Sequence, residues 1–180
     1  MSIEVLKYSW LIPFIPFCSA IFILLFGKRL KPIFSGVMAT IAMSSTFAIW
    51  LVSFLALTNV HSEEVRRYFS DGYTWMSVGS FHIDLRFMID PLSLTMVGFI
   101  SFVASLIHLY SIGYMKGDPK FSRFFGYLNL FAASMFTLVL ADNLLVTFLG
   151  WEGVGLCSYL LVSFWFEKPS AAVAGKKAFI

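Results

Sequence analysis

The sequence predicts an all-α integral membrane bundle of five transmembrane helices, with a small extracytoplasmic β-hairpin between the second and the third. Three observations carry that reading. Of the 180 residues 59% are hydrophobic and only 13% are charged, about half the charge of an ordinary soluble domain. Five apolar runs are each long enough to cross ~30 Å of hydrocarbon, which takes about 20 helical residues. The one long polar interval contains a stretch that alternates apolar and polar side chains, a period that belongs to a strand.

The spans are expected near Tyr8–Phe26, Ile33–Leu57, Pro91–Met115, Phe124–Ala141 and Asn143–Phe166. Residues 1–58 therefore hold the first two spans, 59–90 the extracytoplasmic loop, 91–166 the last three spans, and 167–180 a cytoplasmic loop that stops before a sixth helix. The first run has Glu4 and Lys7 before it and no small-residue cleavage signal after it, which marks a retained helix and not a signal peptide. Pro13 and Pro16 lie inside it and predict a kink or an irregular first turn. Pro32, Pro91 and Pro169 fall at predicted ends, where a missing N–H costs little. The fourth run is short, and only "ADN" (141–143) divides it from the fifth, so the two should form an antiparallel helical hairpin. In the loop, "FHIDLRF" alternates Phe81, Ile83, Leu85 and Phe87 with His82, Asp84 and Arg86; "YTWMSV" precedes it across Gly79-Ser80, a two-residue hairpin turn.

Charge orients the bundle. Lys28, Arg29, Lys31, Lys116, Lys120, Arg123, Lys168, Lys176 and Lys177 fall on one side of a five-span arrangement, and Lys7, Arg66, Arg67 and Arg86 on the other. The positive-inside rule puts the larger group in the cytoplasm and the N-terminus outside. Clusters this short, with no basic stripe, exclude a nucleic-acid partner; the bilayer is the expected one. Cys18 and Cys157 sit in separate apolar runs without a CxxC partner, which argues against a metal or disulfide role.

Glu152 is the residue that the solvent does not explain. It lies in "FLGWEGVGLCSYLLVSFW", nine residues after Asn143, so about 13.5 Å into its helix and near the bilayer centre. An ionisable side chain there costs on the order of 2.5–3.5 kcal/mol on insertion scales. It should face protein or water, where neighbours can tune its proton affinity, and that is what a proton relay requires. Gly155, three residues on, leaves room along its face for a helix or a water, and Ser158 and Tyr159 could extend a hydrogen-bonded chain. The plainer reading is an acid that pairs with a cation to fix helix packing. His108, in "SLIHLYSIGYM", is a second and weaker proton-relay candidate, since imidazole titrates near neutrality; a histidine that only satisfies a packing hydrogen bond accounts for it equally well. Asp90 before Pro91 and Asp142 at a helix junction read as caps, and Lys176 and Lys177 as interfacial positive-inside residues.

These residues also form a pattern. "IDPLSLTM", "HLYSIGYM", "RFFGYLNLF", "LADNLL" and above all "GWEGVGLCSYLLVSFW" followed by "KKAF" resemble the start of the L-type family of antiporter-like membrane subunits of respiratory complex I, NADH:quinone oxidoreductase. The resemblance runs in order from about Trp10 to Ile180. The related M and N subunits and the large subunit of sodium/proton antiporters share the buried acid but vary its surroundings, so the resemblance implies a buried Glu152.

The resemblance implies a proton-translocating subunit in which Glu152 works against a lysine on a later, broken helix, within inverted repeats of five helices that begin at the fourth span. Lys176 and Lys177 do not match that lysine. It implies a bacterial cytoplasmic membrane, ahead of the mitochondrial inner membrane or thylakoid. The partners implied are the other membrane subunits of complex I, especially the adjacent antiporter-like one. NADH, FMN, iron–sulfur clusters and quinone are expected on other subunits, and no cofactor in this chain, which has neither cysteine clusters nor a nucleotide fingerprint. The sequence stops within a segment that continues in the family, so a fragment is expected, inactive by itself as an oxidoreductase. The alternatives are a subunit of a multisubunit sodium/proton antiporter, and an inert membrane assembly scaffold.

Overall fold

The computed structural model describes residues 3–58, 67–79 and 81–179. A 3-10 segment, Ile3–Tyr8, leads into α1 (Leu11–Phe26), followed by α2 (Pro32–Thr58), α3 (Pro91–Tyr114), α4 (Phe121–Val139), α5 (Leu144–Val162) and α6 (Pro169–Phe179). Between α2 and α3 lie β1 (Tyr68–Phe69), β2 (Tyr73–Val78), β3 (Phe81–Leu85) and β4 (Met88–Ile89). The irregular start expected from the prolines is present: the chain enters in 3-10 form, turns at Ser9-Trp10, and carries Pro16 inside α1.

Four segments are long and apolar enough to cross a membrane: Glu4–Phe26, Pro32–Thr58, Pro91–Tyr114 and Leu144–Val162. The helix expected as a fifth span, α4, forms but does not meet that standard. Its position explains why. It packs against α1, α2, α3 and α5, so little of it remains for lipid, and it can carry Arg123, Asn129 and several small residues. A helix enclosed by other helices has no need of an apolar surface all round.

The packing is antiparallel and close. Ser19 of α1 faces Asn129 of α4, and the Trp50 indole N–H of α2 donates to the Leu94 carbonyl of α3 at 2.6 Å. A Cβ built on Gly150 would stand 2.5 Å from the Leu138 backbone nitrogen, and one on Gly153 2.5 Å from Ser134 Oγ. Glycine at those two places lets α4 and α5 approach backbone to backbone, the usual way helices associate where lipid supplies no hydrophobic drive. The core lies in two clusters, one around Met43, Leu94, Val97, Phe136 and Leu140, the other around Ile23, Phe121 and Phe125.

Side-chain bonds tie each end of the bundle together. At one end Ser122 Oγ donates to the Gly27 carbonyl, Lys120 pairs with Glu167, and the Trp165 indole donates to Asp118. These bonds bring the α1–α2 turn, the α3–α4 turn and the segment after α5 to one end, with the basic residues those segments carry. The opposite end carries the strands. Of its basic residues, Arg66 lies outside the described residues.

Strands β2 and β3 pair antiparallel, from Tyr73↔Leu85 to Val78↔Phe81, with a register slip between Thr74 and Met76. Gly79 holds φ +61°, the left-handed region a two-residue hairpin turn requires; Ser80 lies outside the described residues. A second pair joins β1 to β4. Residues 167–180 were expected as a loop, and instead Pro169–Phe179 form α6. This helix folds back on α5, with Gly175 against Ser163 and the Phe179 ring 6.0 Å from that of Tyr159.

Candidate functional site

Glu152 is the ninth of nineteen residues in α5. The helix is capped by Asn143, whose side chain accepts from the N–H groups of Leu145 and Val146 at 3.1 and 3.0 Å. Val146, Gly150, Gly153 and Cys157 turn toward α4. At 100° per residue Glu152 then points away from α4, as does Gly155, which has nothing within 4 Å of a built Cβ. Glu152 is exposed on the bundle surface, and no hydrogen bond or ion pair holds it among the described residues. Only 17% of the apolar window of α5 is buried, against 33–39% in the other three spans. The carboxyl thus sits at mid-helix on an uncovered face. The sequence placed it by depth and expected it buried; within these helices it is instead exposed, because α4 packs on the opposite side of α5.

His108 is the opposite case. It is fully buried on α3. Its Nδ1 lies 2.7 Å from the Ala104 carbonyl oxygen and its Nε2 2.8 Å from Asn129 Oδ1 on α4. Asn129 Nδ2 in turn donates to Ser19 Oγ on α1 at 2.8 Å. The string crosses three helices. Asn129 and Ser19 were not singled out from the sequence, although an amide in the apolar "YLNLF" was a visible signal, because a lone buried polar group needs a partner. The structure does not bring His108 and Glu152 together.

At the strand-bearing end, Arg86 Nε donates to Asp142 Oδ2 at 2.5 Å, and the guanidinium stands 5.0 Å over the Phe69 ring. The Asp142 hydrogen bond holds the Arg86 pKa above its ordinary value. Asp142 is therefore an ion-pair partner, not the helix cap expected of it; Asn143 takes that role and also donates to the Asp84 carbonyl. Asp90 does cap α3, in a reciprocal box with Ser93. A groove of about 510 Å³ runs between α1, α4 and α5 from Arg86 toward Cys157, lined by Phe14, Phe17, Leu130 and Leu149. Glu152 does not line it. Cys18 and Cys157 are both free, and among the described residues no three His, Cys, Asp or Glu side chains gather as a metal site.

Residues 75–125 match the family described as NADH-Ubiquinone oxidoreductase (complex I), chain 5 N-terminus. Residues 141–180 match that described as NADH:quinone oxidoreductase/Mrp antiporter, TM. NADH-quinone oxidoreductase subunit L of Mycobacterium tuberculosis is 45% identical over 173 residues, 96% of this chain and 27% of that protein. The Escherichia coli subunit of the same name is 56% identical over 108 residues, 60% of this chain and 18% of its own. The chain belongs to the L-subunit family of NADH:quinone oxidoreductase.

F(420)H(2) dehydrogenase subunit L of Methanosarcina mazei is 41% identical over 174 residues, 97% of this chain and 25% of its own. The chain spans about a quarter of the length of the curated relatives it matches over most of its residues. His108 falls within the first matched region and Glu152 within the second. The L-subunit family is one of membrane subunits of an oxidoreductase complex, and the apolar helices agree with a place in the membrane.

Proposed function

We propose that this chain is the N-terminal part of a proton-translocating membrane subunit of an NADH:quinone oxidoreductase, and that Glu152 is a proton relay within it. The observation that carries the reading is a carboxyl at the centre of an apolar helix, on a face left bare by α1–α4 and held by no partner among the described residues. An ionisable group so placed is costly unless protein or water meets it. On this reading the rest of a full-length subunit covers that face and supplies a cation whose movement loads and unloads the carboxyl.

The arrangement in the membrane belongs to the same proposal. α4, at 19 residues and 1.5 Å per residue, is about 28 Å long and serves as a fifth, enclosed span. The basic end faces the cytoplasm and the strand-bearing end the outside, in the inner membrane of a bacterium. NADH, flavin, iron–sulfur clusters and quinone bind to other subunits, and the neighbouring antiporter-like subunit is the expected contact. Moving one charge against 100 mV costs about 2.3 kcal/mol, which electron transfer elsewhere must supply.

The second reading is a subunit of a sodium/proton antiporter, and the description of the family matched at 141–180 names both. The test is proton pumping per electron in membranes carrying a full-length subunit with Glu152→Gln, with assembly followed by the quinone-reductase rate. Pumping that falls in an assembled complex supports the relay. Unchanged pumping sinks it. Sodium-dependent proton flux without quinone-reductase subunits favours the antiporter.

A further inference from the structure

The geometry points to a second proton-binding site, His108 Nε2, whose occupancy is linked to the orientation of the Asn129 amide and the direction of the Ser19 hydroxyl. The argument is one of donors and acceptors. A carbonyl oxygen only accepts, so the 2.7 Å contact of His108 Nδ1 with the Ala104 carbonyl requires a proton on Nδ1. With Asn129 Oδ1 2.8 Å from Nε2, that amide orientation is complete only when Nε2 carries a proton as well and the ring is an imidazolium. The Asn129 NH₂ then donates to Ser19 Oγ. Half a turn of the amide gives the other complete arrangement. Nδ2 donates to a bare Nε2, and Ser19, whose hydroxyl both donates and accepts, donates to Oδ1. A neutral ring protonated on Nε2 would set two lone pairs face to face at Ala104 and is excluded.

The same three side chains therefore keep the Nδ1–Ala104, Nε2–Asn129 and Asn129–Ser19 contacts hydrogen-bonded in two states that differ by one proton, taken up from water at Nε2, and one amide turn. Half-satisfied buried networks are costly, so ring and amide change together. Little else competes for the site. α1 and α2 carry no charged residue. The titratable groups of the helices around the ring are exposed Cys18 on α1, exposed Arg123 and half-buried Tyr127 on α4, and exposed Tyr110 and Tyr114 on α3 itself. Among the described residues none of them bonds to the ring or the amide. The Phe125 ring lies near it, 6.3 Å away and tilted by 53°.

The test uses this 180-residue chain, ¹⁵N-labelled at histidine and asparagine side chains, in lipid bilayers from about pH 4 to 9, the range that brackets imidazole. His108→Gln assigns the signal against the other two histidines. The expected spectrum shows an imidazolium converting to the Nδ1–H neutral tautomer, with the Asn129 amide signal shifting at the same pH. Asn129→Asp offers only oxygens to Nε2 and should raise the midpoint by roughly 1–3 pH units. A neutral ring protonated on Nε2, an amide signal that ignores the ring, a ring that keeps one form throughout, or an unmoved midpoint in folded Asn129→Asp would each overturn the proposal. If Asn129→Asp does not fold, the wild-type tautomer and the amide signal still decide. None of these readouts depends on quinone reduction or on Glu152, so this inference and the relay fail separately.

Discussion

Arg86 and Asp142 stand 56 residues apart in the chain and meet at 2.5 Å, joining the exit of the hairpin to the turn between α4 and α5. Backbone pairing runs beside them, with Phe87 bridged to Ala141 and the Met88 N–H donating to the Leu140 carbonyl. Arg86 is 39% exposed and Asp142 only 12%, so solvent screens half the pair, and its worth is ~0.5–1 kcal/mol. Arg86→Gln and Asp142→Asn should each lower thermal stability by that order. The double variant should lose little more than either one, which a double-mutant cycle measures. Because the folded pKa of Arg86 is raised, its contribution is complete below the ordinary arginine value and fades only as pH rises through the folded one, so no loss on this account is expected near neutrality.

The glycines of α5 separate into two kinds. A Cβ at Gly150 or Gly153 meets Leu138 or Ser134 at 2.5 Å, whereas one at Gly155 meets nothing within 4 Å. Gly150→Ala must push apart two backbones and should cost about 1–3 kcal/mol. Gly155→Ala should be neutral or slightly stabilising, since it adds helix propensity without a clash. Unfolding of the two variants in the same detergent gives the comparison; equal losses would contradict the interface described.

The sequence resolved what is local and missed what is distant. The Asp90-Pro91 start of α3 was legible because its cap closes within three residues. The β2–β3 hairpin was legible from a period of two across a glycine turn. Asp142 was misread as a cap because its partner lies far back in the chain. α6 was missed because its eleven residues carry little apolar pattern of their own, and packing against α5 holds them in place. The depth of Glu152 followed from counting residues, but its facing did not. α5 is apolar on every side, so periodicity cannot say which face a neighbour covers.

Lys120 and Glu167 close the basic end of the bundle, where Lys120 also lies 4.1 Å over the Phe166 ring. The hydrogen bond from Lys120 holds the Glu167 carboxyl below its ordinary value of 4.5. A depressed carboxylate contributes stability that is complete above the unfolded value and is lost as pH falls through the folded one. The stability difference between wild type and Glu167→Gln should therefore be constant above about pH 5 and shrink as pH drops below 4.5. Melting curves of both proteins across that interval test it; a difference that grows on acidification would reverse the sign and remove the pair from the account.

Glu152 separates a relay from a packing acid through stability as well as through pumping. An acid that fixes packing by a buried ion pair leaves its partner uncompensated when neutralised, a loss of about 3–5 kcal/mol. Glu152 is exposed on α5 with no partner among the described residues, so Glu152→Gln in this chain leaves no buried partner uncompensated and should not show a loss of that size. The same change in a full-length subunit should reduce pumping, because glutamine keeps the shape and hydrogen-bonding reach of the side chain and removes only the proton it can exchange. A large stability loss in this chain would assign the acid to packing among α1–α6. Unchanged stability with lost pumping would assign its work to the face that these helices leave open.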